Sequence, residues 1–334
     1  MSPPGAGTGP RPRGADLDPD IRRFVAEMSA GWARYPELAG ATPAEARRIA
    51  EQVRAPWTRG GPRMARVFER EVPVGDGTVR VRFYDPLGGV RQPALIYLHG
   101  GGWTLFSLDT HDRLMREYAA RAGVTVVGVD YALAPEAKYP AALLQVSAAV
   151  RFLAGAGAAA DPELAIDPER LAIGGDSAGA NLAIAAALDL RDGGAPRAVR
   201  ALLLNYGVFA RTSSPEAALG LGGPGNMLTA EEMEGFWRNY LRDEGDALDP
   251  LACPVLADLR GLPPVLLVAA EEDLLAEQSS ALCQRLVAAG VSTRLATYRG
   301  ASHSFLEAVS IAPLADRALG ESAQWLRGAL TAKA

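Results

Sequence analysis

Residues 170–190 read RLAIGGDSAGANLAIAAALDL. The stretch changes character at its middle. Arg170 to Gly175 is a short apolar run ending in two glycines, the pattern of a buried strand. Ala178 to Leu190 is rich in alanine and leucine, which favour helix. Between them, Gly175-Asp176-Ser177-Ala178-Gly179 fits G-x-S-x-G. After a strand and at the opening of a helix, that pentapeptide places a serine on a tight, strained turn. The helix N-terminus beside Ser177 favours developing negative charge. In a chain with 36 glycines the pentapeptide alone carries little weight. The strand before it and the helix after it supply the weight.

The same alternation extends outward. PALIYLH, ending at His99, is a second buried strand, and VTVVGVDY from Val124 to Tyr131 is a third. ALLLNYG (Ala201 to Gly207), PVLLVAA (Pro264 to Ala270) and TRLATY (Thr293 to Tyr298) continue the series. Helices are expected over Thr110–Ala122, Tyr139–Ala154, Gln278–Ala289 and Leu314–Leu330. Apolar strands alternating with helices imply an α/β fold with a mostly parallel central sheet flanked by helices on both faces. In such sheets chemistry gathers at the carboxyl ends of the strands. Upstream, Arg70 to Leu87 alternates around Gly75-Asp76-Gly77 and reads as a β-hairpin. Ile21 to Trp57 reads as two or three short helices interrupted by Pro36, Pro43 and Pro56. Residues 1–20 read as a disordered tail. The rhythm breaks once more at 207–247, which holds a loop, SSPEAALGLGGPGN, and a helix, TAEEMEGFWRNYL, opened by a Thr229/Glu232 capping box. We expect this insertion, with helices from 21–65, to form a helical cap. The catalytic domain would then be 66–206 and 248–334.

The other chemical residues fall where the sheet predicts. His99-Gly100-Gly101-Gly102-Trp103 follows a strand directly. Three glycines let a backbone turn its N–H groups into one pocket. Gly101, Gly102 and Ala178 are therefore the expected donors to a tetrahedral oxyanion. A serine nucleophile needs a base, and His303, in RGASHSF just past the last strand, is the one histidine after Ser177. His99 is expected to brace its own loop, and His111 to be structural or solvated. The acid should lie between serine and histidine. Glu271, Glu272 and Asp273 stand together at a strand end; Asp273 is the choice, with Glu272 second on position.

Composition narrows the function. The net charge is -5 and the sequence pI about 5.4, so there is no basic footprint for nucleic acid. Cys253 and Cys283 lack metal or redox spacing, and with three histidines no metal site is expected. No apolar run approaches a membrane span, and the N-terminus has no apolar core of a signal peptide. A cytoplasmic protein needing neither metal nor organic cofactor is the expectation.

HGGGW, DYALAPEAKYP (Asp130–Pro140), GDSAG, the E-D-L-L segment and the final H-S-F resemble the hormone-sensitive lipase-like branch of the α/β-hydrolases. THDRLMREYAARAG with DYALAPEAKYP looks especially like the bacterial acetyl esterases. The resemblance implies the α/β-hydrolase fold, the acid at Asp273 of an Asp-x-Leu motif, and oxyanion donors at Gly101, Gly102 and Ala178. It also implies structural work for Asp130, Tyr131 and Glu136, which would brace the glycine loop. It is compatible with a homodimer.

The reading is then a serine carboxylesterase acting on short-chain esters, acetyl to butyryl, through Ser177, His303 and Asp273. Amide or other acyl hydrolysis on the same triad is the alternative, as is deacetylation of a specific sugar or secondary-metabolite ester. A non-catalytic binder, as in the gibberellin receptors that resemble this branch, is disfavoured because all three triad residues are present. Trp103, Phe236, Trp237 and Tyr240 are the candidate walls of a short acyl pocket. At three-to-four spacing, the last three would equally pack a helix onto the core.

Overall fold

The computed structural model describes residues 17–332. Eight strands form one sheet: β1 (Arg66–Val74), β2 (Gly77–Asp85), β3 (Gln92–Leu98), β4 (Thr125–Val129), β5 (Ile166–Asp176), β6 (Ala201–Asn205), β7 (Val265–Glu272) and β8 (Thr293–Ser302). Their order is β1-β2-β4-β3-β5-β6-β7-β8. The β1–β2 hairpin is antiparallel and joins β4 antiparallel; from β4 to β8 every pairing is parallel.

The helices are α1 (Pro19–Trp32), α2 (Pro43–Thr58), α3 (Asp112–Ala122), α4 (Ala141–Ala154), α5 (Ala156–Ala160), α6 (Ala178–Asp192), α7 (Pro215–Leu221), α8 (Ala230–Tyr240), α9 (Ala276–Ala288) and α10 (Pro313–Thr331). The central strands are apolar through their paired middles, 94–98, 126–129, 171–175, 201–204 and 265–270, because both faces are covered there. Ile96, Ile173, Leu204 and Leu267 join α4, α6, α8 and α9 in one buried cluster. Their neighbours Leu95, Ala172, Leu203 and Leu266 join α1, α2, α3 and α10 in the other.

Three local expectations need correction. Pro56 does not end α2, which runs through it to Thr58. A proline so near the end deletes a single helical hydrogen bond, and Trp57 holds the final turn edge-on to Phe24, ring centroids 4.7 Å apart. The loop expected at 213–226 contains α7, because Ser214 caps it and Pro215 opens it. Most of the expected tail lies outside the described residues, but its last four do not fit. Leu17 is half-buried, Asp18 caps α1, and Pro19 and Asp20 belong to the helix. The segment also docks, since Asp18 N–H donates to the Gly300 carbonyl (2.9 Å).

DYALAPEAKYP ties the pieces together. Tyr131 hydroxyl donates to the His99 carbonyl (2.7 Å), and Asp130 accepts from Arg80 (2.9 Å). Glu136 binds Arg47 of α2 (2.6 Å). Lys138 Nζ donates to the carbonyls of Arg238, Asn239 and Leu241 (2.7–3.0 Å), covering the open C-terminal end of α8.

Candidate active site

Ser177 ends β5 and starts α6 with φ 52° and ψ −119°, a conformation disfavoured for any residue with a side chain. The surrounding glycines make it possible. A Cβ on Gly175 would sit 2.3 Å from the Leu98 carbonyl oxygen, and one on Gly179 only 2.0 Å from it. The turn therefore fits against β3 only without those side chains, and it lifts Ser177 off the sheet edge.

His303 arrives from the turn after β8. Its Nε2 lies 3.0 Å from Ser177 Oγ, and its Nδ1 lies 2.8 Å from Asp273 Oδ2. A carboxylate can only accept, so Nδ1 carries a proton and Nε2 offers its lone pair to the hydroxyl. The other carboxylate oxygen of Asp273 accepts from Leu275 N–H (3.0 Å), which fixes the acid's rotamer. All three side chains are buried. Asp273 is the acid hydrogen-bonded to the ring. The Tyr206 ring packs edge-on to His303, centroids 5.1 Å apart. Tyr206 is a contact the sequence reading missed; its one signal was position at the end of an apolar strand.

On the other side of Ser177 the glycine loop leaves β3. Gly101, Gly102 and Trp103 all have positive φ (110°, 59° and 56°). The N–H groups of Gly101, Gly102 and Ala178 find no acceptor among the described residues. The loop is closed by Thr104 and Leu105 N–H groups donating to the Gly101 carbonyl (3.0 and 2.8 Å). Phe236 of α8 lies against it, for a Cβ on Gly102 would fall 2.2 Å from the Phe236 ring.

The four candidate pocket residues separate. Trp103 is fully buried and stacks on Tyr240, centroids 4.2 Å apart and planes 4° apart. Both are buried, and their stack fastens α8 to the loop. Trp237 is buried too, but it borders a cavity of about 180 Å³ beyond the Asp273 turn, shared with Leu274, Leu275 and Gln278. Phe236 is half-buried and faces the glycine loop.

The remaining histidines are both buried. His99 Nδ1 donates to the Gly100 carbonyl (2.7 Å), and the ring stacks on Tyr131. Burial, then the charge of His111, lowers its pKa to about 4. His111 is not solvated: its Nε2 lies 3.2 Å from Asp176 Oδ2. Burial drives the Asp176 carboxyl up, yet His111, Tyr97 and His99 outweigh it and leave the pKa below the ordinary value. Burial pushes Cys253 up to about 11, which removes it as a thiolate nucleophile. Among the described residues no three His, Cys, Asp or Glu side chains converge where a metal could sit, and no helix is long and apolar enough to cross a membrane.

A serine, a histidine and an aspartate at the carboxyl ends of β5, β8 and β7 define the α/β-hydrolase arrangement. The chain belongs to that family: the profile of the alpha/beta hydrolase fold matches residues 95–307. An acetyl esterase from Salmonella paratyphi B is 38% identical over 260 residues, 76% of this chain and 77% of that protein. The structure of a hyperthermophilic esterase from the archaeon Pyrobaculum calidifontis superposes with TM-score 0.85 at 32% identity, covering 95% of this chain and all (100%) of that one. A thermostable carboxylesterase cloned from a metagenomic library gives TM-score 0.83 at 33% identity, covering 88% of this chain and 99% of that one.

Proposed function

We propose that this chain hydrolyses carboxylic esters with short acyl groups by way of an acyl-enzyme on Ser177. The observation that carries the reading is the continuous relay from Ser177 Oγ through His303 to Asp273, at 3.0 and 2.8 Å. Three uncommitted backbone N–H groups beside the same serine complete the site. Ser177 Oγ attacks the ester carbonyl while His303 Nε2 takes its proton. Asp273 holds the ring in the required tautomer and stabilises its cation. Gly101, Gly102 and Ala178 N–H groups receive the oxyanion. The alcohol leaves with the proton from His303, and water then hydrolyses the acyl-enzyme by the same steps.

The similarity to proteins named esterase favours esters over amides as the substrate class. A short acyl limit is supported by the Phe236 ring against the glycine loop. We assign the catalytic domain to 66–206 and 248–334, with 207–247 and the N-terminal helices as its cap. Lys138 and the Trp103–Tyr240 stack are the joints that support this division.

The test is direct. Wild type should be labelled by a fluorophosphonate and should turn over p-nitrophenyl acetate. Ser177→Ala should lose both, with a fall of many orders of magnitude in kcat and an unchanged circular-dichroism spectrum. Turnover near wild type in that variant would place the nucleophile elsewhere.

A further inference from the structure

Asp176 stands directly before the nucleophile in the chain. It is fully enclosed. A Cβ on Gly100 would lie 2.5 Å from its Oδ2, so the glycine loop rests directly on the carboxylate. An unpaired negative charge there would oppose an oxyanion a few ångströms away. Its Oδ1 accepts from Tyr97 hydroxyl (2.8 Å), and its Oδ2 faces His111 Nε2 (3.2 Å).

The other nitrogen of His111 decides the charge. His111 Nδ1 lies 2.9 Å from Thr110 Oγ1, and that hydroxyl already gives its hydrogen to the Ser107 carbonyl (2.9 Å). With the hydroxyl hydrogen turned to Ser107, both ring nitrogens face acceptors and both donate, so that the ring pairs with Asp176 as an imidazolium. The other titratable groups around the pair are Tyr97 on β3, His99, whose ring centroid is 5.6 Å away, and the buried tyrosines Tyr118, Tyr131 and Tyr206, each of which feels the Asp176 charge. Arg54 of α2 lies beyond the Phe106 ring. His99, lowered to about 4, stays neutral and adds no second charge.

We propose that His111 is a positioning residue: its imidazolium neutralises the Asp176 carboxylate beneath the glycine loop and clamps that loop to the serine turn. Gly101 and Gly102 come from the loop, and Ala178 comes from the turn. The His111–Asp176 pair sets the distance between the two sets of donors. The proposal rests on the Ser177 reading above, since it concerns the oxyanion that Ser177 would generate.

The experiment compares His111→Gln, Asp176→Asn and the double variant, with active sites counted by fluorophosphonate titration. His111→Gln strands a buried carboxylate. Its kcat per titrated site should fall about 10–100-fold, short of the ~10²–10³ lost when an oxyanion donor is removed outright. KM should stay within about threefold, because the loss is confined to the transition state. The second readout is a trifluoromethyl ketone. Ser177 Oγ bonds to its carbonyl carbon, the proton passes to His303, and the carbonyl oxygen becomes an alkoxide facing the three N–H groups. Affinity for it should fall by the same factor as kcat. In the double variant no charge is stranded, so it should regain most of the loss and stand within about tenfold of wild type. A His111→Gln variant that is merely less heat-stable, with wild-type kcat per titrated site, overturns the proposal. So does a folded double variant more than about 100-fold impaired. The double variant also decides the matter should His111→Gln fail to fold. Activity surviving in Ser177→Ala would instead strike the reading beneath.

Discussion

At the scale of single residues the acid is the sharpest choice. Asp273 holds His303 Nδ1 at 2.8 Å while its second oxygen is fixed by Leu275 N–H. Asp273→Asn keeps that shape but offers an amide N–H or carbonyl in place of a pure acceptor, which permits the wrong histidine tautomer. A loss of roughly 10⁴ in kcat is expected by analogy with the serine-protease triad. Glu272→Gln should cost little by comparison. Steady-state kinetics of the two settles the order, and a worse Glu272→Gln would remove Asp273 from its role.

His99 gives a second residue-scale expectation. Its pKa is about 4 in the folded chain against an ordinary value of 6.5. Above pH ~6.5 the ring is neutral in both folded and unfolded chains, and the effect is nil. Between 6.5 and 4 the unfolded chain binds the proton and the folded chain does not. Stability therefore falls as the pH drops through that window, by on the order of 2–3 kcal/mol. Denaturant melts from pH 7 to pH 4.5 should show it, and His99→Gln should have a shallower slope. Equal slopes would mean that His99 titrates normally.

At the scale of elements, α2 carries an interaction no periodicity announced. Arg54 and Glu307 form an ion pair with both side chains almost sealed from water, joining α2 to the turn after His303. The Arg54 guanidinium also lies over the Phe106 ring, 3.7 Å from its centroid, in the glycine loop's continuation. Removing one partner leaves a buried charge alone. Arg54→Met should therefore cost about 3–5 kcal/mol, and Arg54→Met with Glu307→Leu should recover most of it. Urea unfolding of the three proteins measures this; a single variant as stable as wild type would mean the pair is not buried in solution.

The same element shows what a sequence hides. Strands and their ends were legible because burial on both faces forces uninterrupted apolar runs, and every candidate triad and glycine-loop position sits at such an end. Lone polar residues were not legible. Arg54, Lys138, His111 and Tyr206 lie in ordinary-looking segments, and their partners are 253, 100, 65 and 97 residues away by number, at Glu307, Arg238, Asp176 and His303. Local patterns carry no trace of such pairs. The aromatic spacing in α8 was equally mute about direction: Phe236 faces the loop while Tyr240 turns into the core beside Trp103.

At the scale of the whole molecule, sheet order converts distant segments into one site. The glycine loop follows β3, Ser177 follows its neighbour β5, and Asp273 and His303 follow β7 and β8 at the far edge. Over this row sit pieces of 207–247, with Phe236 against Gly102 and Trp237 against the Asp273 turn. Under the short-acyl proposal, length selection would come from closure by the Phe236 ring rather than from contact energy. Each methylene in an apolar pocket changes discrimination by only ~1–3 kcal/mol, which gives a gradual slope. A ring that blocks the path gives an edge. Across p-nitrophenyl esters, kcat/KM should hold from acetyl to butyryl and drop steeply by octanoyl. Phe236→Ala should move the edge outward, raising the octanoyl-to-butyryl ratio at least tenfold, the equivalent of ~1.4 kcal/mol. Wild-type kcat/KM for octanoyl equal to or above butyryl would refute the short limit while leaving the hydrolytic site intact. An unmoved edge in Phe236→Ala would shift the barrier to Trp237.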